Sequence, residues 1–278
     1  MSLPDLQTLE ALLIDAASTE LLPRLHHVSA GQKADGSLLT EADLSLQQYL
    51  ITALAEITPD IPVLGEELSP EVQQAMLADA EQGVWCLDPL DGTRNFACGF
   101  PVFVISLALI RHGKVELGLV YDPLRRECFS ATLGQGAWLN GEPLSGQAET
   151  SLDSALALID FKRLPPELAQ RLATSAPYPS QRSIGSGALD WCWLAAGRVQ
   201  VYLHGRQHLW DYAAGQLILT EAGGQAVTTR SASTRNASAT PAAPCPVAVS
   251  YTHLRAHETQ EVISYAVFCL KMGGGGGG

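Results

Sequence analysis

The chain has 278 residues, 46% of them hydrophobic, and a formal net charge of −12. That is enough apolar material for one large domain or two small ones around a buried core. The acidic balance disfavours a nucleic-acid polymer or an anionic membrane surface as partner, but not a small anionic substrate, because bound divalent cations turn a cluster of acids into a phosphate receptor.

No run in the sequence reaches the roughly 18–20 apolar residues needed to span a bilayer; the longest candidate is 103–110. The N-terminus lacks a basic run followed by an apolar block, so no signal peptide is expected. Six cysteines, at 86, 98, 128, 192, 245 and 269, form no Cys-x-x-Cys pair. A reducing cytoplasm is the expected compartment.

Leu6, Leu9, Leu12, Leu13, Ala16, Ala17 and Leu21 have helical spacing, which predicts a helix over 5–22. A second amphipathic helix is predicted over 41–56, ended by Pro59 and Pro62. The apolar run 84–87 reads as a buried strand delivering Asp88-Pro89-Leu90-Asp91-Gly92 to a loop. Segments 103–110 and 114–121 flank Arg111-His112-Gly113 as a hairpin, and 126–132 follows as a further strand. This meander predicts an antiparallel sheet. In the second half, 154–160 and 199–203 read as strands. Helices are predicted over 188–196, stopped by Gly197, and 211–222, stopped by Gly223-Gly224. Blocks of this kind suggest a layered α+β architecture.

After Thr229 the periodicity stops, and Arg, Ser, Ala, Thr and Pro dominate. From about 248 onward the chain resembles a translated sequencing-library adapter. Residues 250–258 back-translate as TCT TAT ACA CAT CTC CGA GCC CAC GAG, and 263–270 as ATC TCG TAT GCC GTC TTC TGC TTG; six glycines close the chain. The expected organisation is therefore one domain over 1–247, with 230–247 degraded or frameshifted, and an adapter-derived tail over 248–278.

The chemistry-bearing residues are acids at the ends of apolar elements. Glu66 follows the extended stretch 61–64, Asp88 and Asp91 follow the strand 84–87, and Asp211 opens a helix after Trp210. Each has an ordinary explanation: Asp-Pro and Asp-Gly make turns, and Asp211 suits a helix N-cap. Converging without basic partners, however, they would repel one another. Divalent cations relieve such repulsion, and oxygen ligands select Mg²⁺ or Mn²⁺ over Zn²⁺.

Gly65-Glu66-Glu67, then Asp88-Pro89-Leu90-Asp91-Gly92-Thr93-Arg94-Asn95-Phe96, then Trp210-Asp211 followed by Glu221-Ala222-Gly223-Gly224 resembles the ordered signature of the inositol monophosphatase family. Thr40-Glu41-Ala42-Asp43 and Gly185-Ser186-Gly187-Ala188-Leu189 are similar to its early and substrate-loop motifs. The resemblance covers about 33–224. It implies a layered αβαβα sandwich, a homodimer, and Mg²⁺-dependent, lithium-sensitive hydrolysis of a small phosphate monoester. Two or three Mg²⁺ ions are implied, Mn²⁺ being a substitute. The first would be held by Glu66, Asp88 and the Leu90 carbonyl, the second by Asp88, Asp91 and Asp211, and a third by Glu66 and waters. The implied nucleophile is a water held by metal, activated with Thr93, Asp43 and Glu66. Gly92, Thr93, Ser186, Gly187 and His204 are implied substrate contacts, and Lys33 and Arg94 are candidates to meet phosphate.

An inositol monophosphate-like ester is the implied substrate. His204, however, falls where inositol-specific members carry a glutamate. Adenosine 3′,5′-bisphosphate, histidinol phosphate and sugar phosphates therefore stay open. A metal-binding regulatory module is the non-enzymatic alternative. Trp191, Trp193 and Trp210 suggest a base-stacking platform, but Trp191 and Trp193 fall on different helix faces, so packing is expected for at least one.

Overall fold

A computed structural model describes residues 3–25, 30–32, 38–144, 151–228 and 248–251. Lys33, the segment 229–247 and the tail beyond 251 lie outside the described residues. In chain order the elements are α1 (Leu6–Ala16), β1 (Ala30–Gln32), β2 (Leu38–Thr40), α2 (Glu41–Ile57), β3 (Val63–Gly65), α3 (Pro70–Ala78), β4 (Val84–Asp91) and α4 (Thr93–Ala97). There follow β5 (Val104–Arg111), β6 (Lys114–Asp122), β7 (Glu127–Thr132), β8 (Gly136–Leu139), β9 (Glu142–Pro143), β10 (Leu156–Ile159), α5 (Pro166–Thr174) and β11 (Ser180–Arg182). The last are α6 (Gly187–Ala195), β12 (Val201–His204), α7 (Leu209–Glu221), β13 (Gln225–Thr228) and β14 (Ala248–Tyr251).

These elements stack as helix, sheet, helix, sheet, helix, the αβαβα sandwich expected from sequence. The first sheet has seven strands in the order β3-β4-β5-β6-β7-β8-β9. Both its faces are covered, so its central strands read as continuous apolar runs rather than alternating ones. Along β4, Trp85 and Leu87 point to α1 and α2, packing with Leu9, Leu13, Leu46 and Leu50. Val84 and Cys86 point the other way, toward α6 and α7. That is the two-residue alternation of a strand. The second sheet, β11-β10-β12-β14-β13, packs Leu158 and Tyr202 on α6 and α7. Its outer face buries Ala157, Ile159, Val201 and Leu203 under Leu168 and Leu172 of α5.

Helix α7 lies between the two sheets, with Ala213, Ala214, Leu217, Ile218 and Leu219 all buried; a helix covered on both sides is apolar nearly all round. At its C-terminal end, the Glu221 carboxylate accepts the Gly134 and Gly136 N–H groups at 2.8 and 2.9 Å. This ties the helix to the β7–β8 turn of the first sheet.

Several expectations need correction. The meander β4-β5-β6-β7 is antiparallel as expected, but the sheet also carries β3, which runs parallel to β4. In the second sheet β10 is parallel to both β11 and β12. The strand predicted over 84–87 continues to Asp91, with a register shift against β5 between Asp88 and Asp91. Helix α7 starts two residues earlier than predicted, so Asp211 is its third residue rather than its cap. Its carboxylate instead accepts the His208 N–H at 2.9 Å. Helices α3 and α5 escaped the sequence reading; each starts at a proline, Pro70 and Pro166, a residue suited to a first helical position. Strands β13 and β14 pair with each other, and β14 also pairs with β12.

Gly215 sets the contact between α6 and α7: a Cβ at that position would lie 2.4 Å from Cβ of Trp191. Gly215→Ala is expected to lower the unfolding free energy by about 1–3 kcal/mol through overpacking, measured by urea denaturation. An unchanged midpoint would show that the two helices separate without cost.

Candidate active site

The two sheets and the helices between them open onto one polar cavity of about 270 Å³. Glu66 reaches it from the end of β3, and Asp88, Leu90 and Asp91 from the end of β4. Gly92 and Thr93 come from the turn into α4, Ser186 and Gly187 from the start of α6, His204 from the end of β12, and Asp211 from the first turn of α7. Strands that stop at a common edge and helices that start there place short side chains from distant parts of the chain around one space.

The electrostatics are those of acids held together. Asp88 is 5% exposed. Burial, and then the charges of Asp91, Glu66 and Asp211, push its carboxyl well above the ordinary value. Asp91 is also raised by burial, against hydrogen bonds from Ser186, Ala188 and Gly187 that pull it down. Asp211 is pushed up to about 7, by burial and then by the charge of Asp91. None of the ion pairs among the described residues involves Asp88, Asp91 or Asp211.

Second contacts fix these groups. The Leu90 N–H donates to Asp88 Oδ1 at 3.1 Å. Asp91 Oδ2 accepts the Ser186 hydroxyl and the Ala188 N–H, both at 2.7 Å. Ser186, an implied substrate contact, occupies the N-cap position of α6 without a side-chain capping bond and spends its hydroxyl on Asp91. Asp43 stands behind the cavity rather than in its lining. Its Oδ2 accepts the Thr40 N–H at 2.8 Å and the Thr40 hydroxyl at 2.5 Å, closing a capping box at the start of α2. Its Oδ1 lies 3.1 Å from Thr93 Oγ1, which is also 2.9 Å from the Leu90 carbonyl. With one proton, Thr93 donates to one of these at a time and keeps lone pairs for an incoming donor. The Asn95 amide donates to the Val102 and Ile184 carbonyls at 2.7 and 2.8 Å, locking the Gly185–Gly187 loop to α4.

Asp160, Arg163, Ser183, Asp190 and His208 also line the cavity and escaped the sequence reading as site residues. Asp160 had a signal, since it ends an apolar strand just as Asp88 does. Asp190 lies inside α6 and is 6% exposed; nothing in its local sequence separates it from a surface acid. Trp191 belongs to the core, donating from Nε1 to Gln207 at 3.2 Å. Trp193 lies under the Arg125 and Arg198 guanidinium groups. Trp210 alone of the three lines the cavity, stacked on His208 at 4.9 Å, so no three-tryptophan platform exists.

Among the described residues, no three His, Cys, Asp or Glu side chains are grouped closely enough to hold an ion as they stand. The donor set of the shared cavity does fit a hard cation. It consists of carboxylate and carbonyl oxygens, and its buried acids are destabilised by one another's charge, which a divalent ion would offset.

A layered αβαβα domain with an acidic, oxygen-lined cavity at the strand ends defines the sugar-phosphatase type of fold. Comparison with known proteins agrees: a sequence model of the inositol monophosphatase family matches residues 5–264, and the chain belongs to that family. It is 36% identical to the Nus factor SuhB of Escherichia coli over 207 residues, 71% of this chain and 74% of that protein. To inositol monophosphatase 1 of Bos taurus it is 30% identical over 200 residues, 69% and 72% of the two chains. Among solved structures, the Thermotoga maritima IMPase superposes with a TM-score of 0.78 at 26% identity, covering 96% of this chain and 98% of that one. Members of this family generally use Mg²⁺.

Removing one buried charge should relieve the cation-free protein. Asp88→Asn is expected to stabilise it by about 1 kcal/mol in EDTA, and a rise in Tm on adding Mg²⁺ is expected for the parent and not for the variant. Thermal melts with and without Mg²⁺ check both; a lower Tm for the variant in EDTA would mean that the acids do not oppose one another.

Proposed function

We propose that the chain hydrolyses a small-molecule phosphate monoester in a Mg²⁺-dependent reaction. The observation that carries this reading is the convergence of Glu66, Asp88, Asp91 and Asp211 with the Thr93–Asp43 pair on one cavity. These four carboxylates and the Leu90 carbonyl would hold two or three ions. When bound, such ions supply positive charge for the phosphate oxygens and make a water more acidic.

The chain's own residues do the rest. Gly92 and Thr93, at the start of α4, direct backbone N–H groups toward a phosphate over the turn. Asp43 orients the Thr93 hydroxyl so that its lone pairs meet the attacking water. That water's oxygen bonds to phosphorus, the ester P–O bond breaks on the opposite side, and a proton passes to the leaving oxygen. Ser186 and Ala188 hold Asp91 in place from the side of α6. Positioning and charge carry such a reaction, since phosphoryl transfer asks little covalent chemistry of the protein.

The partner is thus a small phosphate ester. The net charge of −12 disfavours a nucleic-acid polymer, and no helix among the described residues is long and apolar enough to cross a membrane. A cytoplasmic homodimer sensitive to lithium completes this reading. Likeness to proteins named Nus factor SuhB favours a second reading, a regulatory protein built on the same fold. It need not exclude the first, because the acidic cluster is intact.

Phosphate release from a panel of esters, with Mg²⁺ and with EDTA, tests the enzymatic reading. Release should require Mg²⁺, and Asp91→Asn should lower kcat/KM at least about a thousandfold by removing a charge that faces the transition state. Parent-like rates in that variant would rule out the assigned site.

A further inference from the structure

On the wall of the cavity formed by the ends of β10 and β12, Asp160, Arg163 and His204 form a compact group that the proposed reaction leaves unused. His204 is 2% exposed. Its Nδ1 accepts the Arg206 N–H at 3.3 Å, so the neutral ring carries its proton on Nε2. Nε2 lies 3.3 Å from Asp160 Oδ2 and 3.1 Å from Arg163 Nη1, so both neighbours cover it. The same oxygen accepts Arg163 Nη1 at 3.1 Å, and Asp160 Oδ1 accepts the Lys162 N–H at 3.1 Å. His204 therefore has neither an acceptor nor a donor left for a substrate hydroxyl, and Asp160 is occupied on both oxygens.

Arg163 differs. Nη1 is the nitrogen engaged, and Nε and Nη2 have no protein partner among the described residues. Its side chain is 55% exposed. Its charge already draws the carboxyls of Asp91 and Asp211 downward across the cavity. Its backbone is also fixed: a Cβ on Gly205 would sit 1.6 Å from the Arg163 carbonyl oxygen, so only glycine lets β12 seat this loop. A held guanidinium with open donors is suited to a carboxylate or phosphate. A glutamate at position 204 would instead have offered acceptors to a polyol.

The geometry points to Arg163 as a specificity-determining residue that binds a second anionic group of the substrate, away from the scissile phosphate, with Asp160 and His204 as its positioning residues. The inference rests on the phosphatase reading and narrows its substrate class to phosphate monoesters bearing a further carboxylate or phosphate. Neutral polyol phosphates, and histidinol phosphate with its cationic amine, fit less well.

Two matched ester pairs test it: 3-phosphoglycerate against glycerol 3-phosphate, and adenosine 3′,5′-bisphosphate against adenosine 3′-phosphate. The parent should favour the more anionic member of at least one pair by about tenfold in kcat/KM, as one charge-assisted contact provides. Response of one pair alone identifies that anion as carboxylate or phosphate. Arg163→Gln should bring the ratio to within about twofold, with the loss in KM, and Arg163→Lys should keep part of it. Calorimetric binding of 3-phosphonopropionate against propylphosphonate, in Mg²⁺, reads the same preference without turnover. No phosphate release from any ester would sink the phosphatase reading, whereas the binding comparison addresses Arg163 by itself. Equal affinities in the parent, a preference that survives Arg163→Gln, or no binding of either phosphonate overturns the proposal.

Discussion

The structure is organised around a repulsion. Asp88, Asp91 and Asp211 are brought to one cavity with Glu66; burial raises all three of those carboxyls, and the charge of neighbouring acids adds to it at Asp88 and Asp211. A fold tolerates such an arrangement only if everything around it is rigid enough to oppose relaxation. Two sheets buried on both faces, with α6 and α7 packed between them, supply that rigidity. Each acid stands at the end of an element whose other residues are in the core, so moving the acid means moving core side chains. The Leu90 and Ala188 N–H groups and the Ser186 hydroxyl donate to Asp88 and Asp91 and so aim those two acids.

The same economy explains the division of labour around the cavity. One wall, from β3, β4 and α7, is acidic and calls for cations. The opposite wall, from β10 and β12, carries an arginine held in place by an acid and an imidazole. The Gly185–Gly187 loop lies between them and is fastened to α4 by Asn95. Groups that would hold a phosphate and groups that would meet the rest of the molecule are thus on different sheets, and one can change without the other.

Much of this was legible in the sequence because it is local. The acids at strand ends, the Asp-Pro-Leu-Asp-Gly-Thr turn and the helical spacing of 5–22 and 41–56 each have a local signature, and the ordered motifs carried the family resemblance. What was not legible depends on pairing across long separations. The parallel register of β3 on β4 leaves no mark on a three-residue strand. Helix α7 begins at Leu209 because the Asp211 carboxylate reaches back to the His208 N–H, a bond that sequence does not distinguish from a plain N-cap. Asp160 closed a predicted strand and Arg163 carried no assigned role; His204, 41 residues beyond Arg163, is what brings them into one group. Lys33 lies outside the described residues.

Helix α7 is fastened at both ends, by Asp211 to its own first turn beside the acids and by Glu221 to the Gly134–Gly136 turn at the far rim of the first sheet. A beam held at both ends passes displacement along its length instead of absorbing it. The β7–β8 turn, remote from the acids, is in this sense the far anchor of the acidic cavity, and its length and glycines are under the same mechanical constraint as the residues that line it.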